Sequence, residues 1–273
     1  MRIRGCGTLP LMTLAFREAG PADGPVALLV HGYPNSSYLW HDVLPGVAAA
    51  GWRAVAPDLA GFGDSEPMEG RPATWTEHVD DLDDFVAVHD LAPVALVAHD
   101  WGGLIGLRWA CERPYALRAL ALMGTGFFPD GRWHGLAEGL RREGQGEQII
   151  ASITRETFGE LLRNASPRIT EEALDEYWKA YADDRRRAAH LELYRSGNFE
   201  ELSSYDGCLA GLGVPTLVLW GANDAFAPVS GAHRFCREIP GAELVVLEDA
   251  GHFLMEDEPD RVAAELARFL GSL

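Results

Sequence analysis

The chain has 273 residues, 47% of them hydrophobic, which suits one well-cored domain with an insertion better than two independent domains. A net charge of −18 and an isoelectric point near 4.8 argue against nucleic acid or an anionic membrane surface as partners and leave a small neutral apolar substrate unaffected. The cysteines at 6, 111, 208 and 236 show neither paired nor metal-ligand spacing, so free thiols, no metal and no cofactor are expected.

The first twenty residues contain no apolar run long enough for a signal core, and no stretch approaches a membrane span, so a cytoplasmic location is expected. Free thiols fit that setting. Strands are predicted at 8–18, 25–30, 52–57, 94–99 and 117–123, with helices at 37–50, 75–90 and 101–113 between them. Six acidic residues between Thr76 and Asp90 read as a solvated helix face. From Phe128 to Gly207 there is no valine, and alanine, glutamate, arginine and leucine dominate, a composition that favours helices. Strand and helix alternation resumes at Val214, and a final helix is expected from about Asp257 to Leu273. The expected architecture is an α/β fold with a mostly parallel eight-stranded sheet, residues 1–127 and 208–273 forming the core and residues 128–207 a helical lid.

Four segments carry chemistry. Val97-Ala98-His99-Asp100-Trp101-Gly102-Gly103 joins an apolar strand to an apolar helix, with small residues around a strained turn that exposes its central side chain. Asp100 at that centre could cap the helix; it could instead attack carbon as a carboxylate. Leu28 to Pro34 reads as a buried strand entering a tight turn, where the Tyr33 amide, with that of Trp101, is placed to hold an oxyanion. Leu217 to Asp224 is a buried strand ending in an acid, and Leu244 to His252 is one ending in a histidine. Asp224 would orient His252, and His252 would activate water against an Asp100 ester. Glu248 and Asp249 share the histidine's own loop and are poorly placed for that role. The indole N–H of Trp101 can stabilise a departing anion without competing for protons.

Nucleophile, acid, then histidine is the chain order of the α/β-hydrolase triad. The segments resemble that superfamily over nearly the whole chain outside 128–207, and within it the aspartate-nucleophile group. HGYPNSSYLW at 31–40 and PDLAGFGDS at 57–65 are most similar to haloalkane dehalogenases, as are HDWGGLIGLRWACERP at 99–114 and MGTGFFPDG at 123–131. The resemblance implies Asp100 as nucleophile, Trp101 as a halide donor, Asp224 as acid and His252 as base. One branch of the family instead carries a glutamate after the sixth strand, where this chain has Gly124.

Such enzymes supply a second halide donor, but Tyr33 follows the His-Gly pair here, and neither Trp133 nor Trp178 matches a lid donor by position. Trp178 sits with Leu174, Tyr177 and Tyr181 at helical spacing, which reads as lid packing. Epoxide hydrolases share the HDWGG turn and need two lid tyrosines. Tyr194 is similar to the second, and the first has no counterpart. Fluoroacetate dehalogenases carry an arginine where Trp101 stands, which places that activity last. The leading expectation is a cofactor-free hydrolase of carbon–halogen bonds, followed by an epoxide hydrolase and, more remotely, a non-catalytic binding protein of the same fold. Monomer and homodimer stay equally open.

Overall fold

The computed structural model describes residues 13–273. Its sheet is built from β1 (Phe16–Ala19), β2 (Val26–Val30), β3 (Arg53–Pro57), β4 (Val94–His99), β5 (Leu117–Met123), β6 (Thr216–Gly221) and β7 (Glu243–Leu247). The order is β1-β3-β2-β4-β5-β6-β7, with β1 antiparallel to β3 and every other pair parallel. The described residues thus hold seven strands where eight were expected, and residues 8–12 of the first expected strand lie outside them. β4 and β6 are buried along their whole length, as strands covered by helices on both faces must be.

Helices α1 (Leu44–Ala49), α2 (Trp75–Val88) and α3 (Trp101–Glu112) connect the first strands. The single helix expected over 37–50 is two pieces, a 3₁₀ turn at Ser37–Trp40 and then α1. Pro45 lacks the N–H that a continuous helix would need, so it begins a helix instead of continuing one. The acidic face of α2 is only partly solvated, because Asp81 is buried against Arg71 and Asp83 accepts from the Trp109 indole at 2.9 Å and from Arg113 at 3.0 Å.

Between β5 and β6 lie six helices, α4 (Gly135–Arg141), α5 (Gln145–Ser152), α6 (Arg155–Ala165), α7 (Glu171–Trp178), α8 (Asp184–Ser196) and α9 (Cys208–Gly211). Thr154, Thr170 and Asp183 cap α6, α7 and α8 through their side-chain oxygens. Arg186 of α8, almost wholly buried, donates through Nη1 to the carbonyls of Gly61, Gly63 and Ser65 at 3.0–3.3 Å. The chain closes with α10 (Ser230–Glu238), α11 (Leu254–Asp257) and α12 (Pro259–Leu270), a break at Glu258 replacing one continuous helix from Asp257. Among the described residues no helix is long and apolar enough to cross a membrane.

Cys111 near the end of α3 and Cys208 at the start of α9 form a disulfide, which corrects the expectation of free thiols and removes the ground for inferring a reducing compartment. Linear spacing hides the pair because the two lie 97 residues apart. Cys236 is free, and Cys6 lies outside the described residues. Closing so long a loop constrains the unfolded chain. Reduction, or Cys208→Ser, is therefore expected to lower the unfolding free energy by about 4–5 kcal/mol on the loop-entropy account. Urea denaturation with and without reductant measures this, and coincident midpoints would show that the bond does not form in solution.

Candidate active site

Asp100 stands between β4 and α3 with φ +51°, a left-handed conformation that a non-glycine residue adopts at a cost. Two glycines make room for that turn. A Cβ on Gly32 would collide with the Asp100 carboxylate, and one on Gly102 would collide with the carbonyls of Val30 and His31. Asp100 occupies the N-cap position of α3, yet its side chain makes no capping bond. Instead Oδ1 accepts from the Tyr33 backbone N–H at 2.7 Å, while the Trp101 N–H lies close enough to favour the ionised carboxylate.

Two loops hold the Tyr33 amide in place. The Leu59 N–H donates to His31 Nε2 at 2.9 Å, so the His31 proton sits on Nδ1 and is donated to the Gly32 carbonyl at 2.8 Å. Asp58 accepts from the Ser37 N–H at 2.6 Å and the Asp64 N–H at 2.9 Å, tying the 57–65 loop to the 31–40 loop.

His252 lies across the carboxylate, its Nε2 3.6 Å from Asp100 Oδ2. Its Nδ1 donates to Asp224 at 2.9 and 3.0 Å, and Asp224 also accepts from the N–H groups of Phe226 and Ala227. Burial alone would depress the imidazole, but the carboxylates of Asp224 and Asp100 outweigh it and raise the pKa to about 10. Burial pushes both aspartates up, and the imidazolium more than reverses that, so both are held below their ordinary value. Glu248 and Asp249 are exposed on the surface. Gly124 sits where an added Cβ would lie 3.1 Å from both Asp224 and His252, so a side chain there would press on the pair. His99 donates from Nε2 to the His252 carbonyl at 2.9 Å, and burial with the His252 charge lowers its pKa to about 3, leaving it neutral.

Two cavities open on the Asp100 carboxylate. The inner one is lined by Tyr33, Leu162, Tyr181, Tyr194, Phe226 and Phe253 among others. The outer one passes Trp101 and Trp133, whose rings stack at 5.3 Å, with Tyr194 edge-on to Trp101 at 5.3 Å. All the singled-out residues, Asp100, Asp224, His252, Tyr33, Trp101, Trp133 and Tyr194, thus gather around one carboxylate. Trp178 packs away from it, stacked on Tyr181 and against Phe158.

Sequence reasoning missed Tyr181 and the phenol of Tyr33. The two hydroxyls hydrogen-bond each other in the inner cavity beside Asp100. Burial raises the pKa of Tyr33, Tyr181 and Tyr194, so all three stay protonated at neutral pH; for Tyr194 the Asp100 charge adds to this and the Trp101 indole opposes it. Among the described residues no group of three or more His, Cys, Asp or Glu side chains could hold a metal ion.

A family profile described as alpha/beta hydrolase fold matches residues 25–259. A haloalkane dehalogenase of Psychrobacter cryohalolentis is 30% identical over 268 residues, 93% of this chain and 86% of the relative. Epoxide hydrolase 3 of Siraitia grosvenorii is 28% identical over 301 residues, 92% of this chain and 93% of the relative. The crystal structure of a haloalkane dehalogenase from Bradyrhizobium elkani superposes with a TM-score of 0.85 at 26% identity, covering 97% of this chain and 96% of that one. The chain belongs to the α/β-hydrolase fold family and is an enzyme of that family.

Proposed function

We propose that the protein hydrolyses a carbon–halogen bond of a small haloalkane-like substrate through an ester on Asp100, with residues 128–207 acting as a lid that keeps water from the reacting carbon. The observation that carries this reading is the ionised Asp100 carboxylate, anchored through Oδ1 by the Tyr33 amide and facing His252 through Oδ2. Oδ2 attacks the carbon, the carbon–halogen bond breaks, and halide departs beside the Trp101 indole. Water then attacks Cγ while Oδ1 takes the negative charge in the amide pocket. The Cγ–Oδ2 bond breaks, and the alcohol leaves.

The protonation of His252 fits this order. In the free enzyme it is an imidazolium between two carboxylates and cannot serve as a base. Alkylation of Asp100 removes one of the two charges that hold the proton, so the imidazole can release it and then accept one from water. Dehalogenase relatives support the choice of leaving group.

A second reading, epoxide hydrolysis, has its own support in Tyr181 and Tyr194, two protonated phenols facing the same chamber as Asp100. An opening oxirane needs a proton at oxygen, and either hydroxyl could give one.

In a His252→Gln variant incubated with 1-bromobutane, mass spectrometry under denaturing conditions should find an alkyl adduct on Asp100, and Asp100→Ala should release no bromide. Bromide release that survives Asp100→Ala would sink the covalent reading. Tyr194→Phe should slow diol formation from styrene oxide by roughly a hundredfold or more if that is the reaction, and slow bromide release far less, because a halide loses one hydrogen bond and an alkoxide loses its proton source.

Nitrogen NMR should find His252 protonated up to about pH 10, and Asp100→Asn should move its titration down by about one pH unit or more. Because the folded pKa is raised, the stability His252 contributes is complete below its ordinary 6.5 and lost as pH rises through about 10. A His252 titration near 6.5 in the wild type would contradict this coupling.

A further inference from the structure

Asp100 stands at the waist between two unequal cavities, and Tyr194, His134 and Phe226 line both. The inner cavity measures about 30 Å³, and much of its wall is apolar, from Leu136, Ile153, Leu161, Leu162 and Phe253. That is room for one or two waters, hence for a group of one or two carbons. The outer cavity measures about 310 Å³ and runs past Trp101 and Trp133 to Arg132 and Arg234. A substrate whose reacting carbon meets Asp100 must therefore put its short substituent inside and its long one outside.

The chemistry at the far end of the outer cavity differs from the rest. The Arg234 guanidinium lies 3.9 Å over the Phe128 ring and is fixed by Asp130 at 2.5 Å through Nη1, with Glu238 3.8 Å from Nε, which leaves its Nη2 donors without a partner among the described residues. Arg132, exposed on the same rim, forms no ion pair among the described residues. Two guanidiniums, one of them stacked and pre-positioned, thus belong to residues lining a cavity that also reaches the Asp100 carboxylate. A neutral haloalkane uses neither, whereas an anionic group fits their forked donors.

We propose that the natural substrate carries a terminal carboxylate that Arg132 and Arg234 receive at the mouth of the outer cavity, while a carbon bearing a methyl or ethyl group meets Asp100 near the other end of the chain. The assignment rests on the hydrolytic reading above and names its substrate class. Holding the anion at the mouth also keeps it away from Asp100, with which it would clash in the inner cavity.

The test compares 6-bromoheptanoate, 8-bromononanoate and 10-bromoundecanoate with their neutral amides in the wild type, in Arg132→Gln and in Arg132→Gln/Arg234→Gln. In the wild type, kcat/KM should favour the carboxylate over the amide by about tenfold for at least one chain length, and added salt should shrink the margin. The double variant should lose the preference, read as the ratio of acid to amide kcat/KM, and the single variant, which alters only an exposed side chain, should lose part of it. Equal rates for acid and amide in the wild type, or a preference that survives the double substitution, would overturn the subsite. If no chain releases bromide the hydrolytic reading fails, and tryptophan quenching by heptanoate and heptanamide then judges the subsite alone. Tighter binding of heptanoate that is lost in the double variant supports it, and equal binding overturns it.

Discussion

The structure depends on keeping one half-buried carboxylate ionised where two cavities meet it. Moving Asp100 out of water opposes its charge, and the fold answers with the Tyr33 and Trp101 amides on one side and the His252 imidazolium on the other. The imidazolium is itself affordable in that setting only because Asp224 holds it from behind. Three charges in a row, two negative and one positive, are linked by the two N–H groups of the imidazolium, Nδ1 toward Asp224 and Nε2 toward Asp100. Each of the three charges lowers the cost of burying its neighbour.

Geometry for that unit comes from the sheet. β2, β4, β6 and β7 run parallel, so the loops after them emerge at one edge and bring Tyr33, Asp100, Asp224 and His252 together from distant parts of the chain. The left-handed turn at Asp100 aims its side chain out of that edge. The helical segment then closes over it. Arg186 grips three carbonyls of the 61–65 loop, Glu192 accepts from the Ala73 N–H at 2.6 Å, and Ser196 accepts from the Trp75 N–H at 2.8 Å. Ser166 and Arg168 add bonds to the carbonyls of Phe253 and Asp257, Tyr177 bonds Glu256, and Asp130 pairs with Arg234 beside the outer cavity, so the segment is tied to the core at several places around the site.

Much of this was legible in the sequence, for a physical reason in each case. Parallel strands buried on both faces are short unbroken apolar runs, so β2, β4 and β5 could be placed within a residue, while the run expected from Leu217 to Asp224 ends as a strand at Gly221. The strained turn announces itself through Ala98, Gly102 and Gly103, whose smallness only a close strand–helix approach requires. What stayed hidden depends on contacts across the fold. The Cys111–Cys208 bond joins the two ends of an excursion that linear spacing does not describe. Asp81 looks solvated until Arg71 covers it. Tyr181 lies in one helical stripe with Leu174, Tyr177 and Trp178, and periodicity reads that stripe as packing. Tyr177 and Trp178 do pack, whereas Tyr181 sits just beyond the end of α7, in the 3₁₀ turn Lys179–Tyr181, and from there it lines the inner cavity.

The phenols of the inner cavity decide what kind of leaving group the site can serve. Tyr33 and Tyr181 bond each other, so one hydroxyl hydrogen of the pair is spent between them and one remains to be aimed elsewhere. Tyr194 supplies another, next to the Trp101 indole. A halide needs donors that do not part with their protons, and burial keeps these phenols protonated. An alkoxide is a far stronger base and would take the proton outright. The same cluster can therefore solvate the first kind of leaving group and protonate the second, so the difference between dehalogenation and ring opening lies in whether a proton crosses. In the proposed mechanism that step is set by the substrate's oxygen and by the Asp100 charge beside Tyr194, since the carboxylate that raises the phenol's pKa would lose its charge on becoming an ester, just as the leaving group departs.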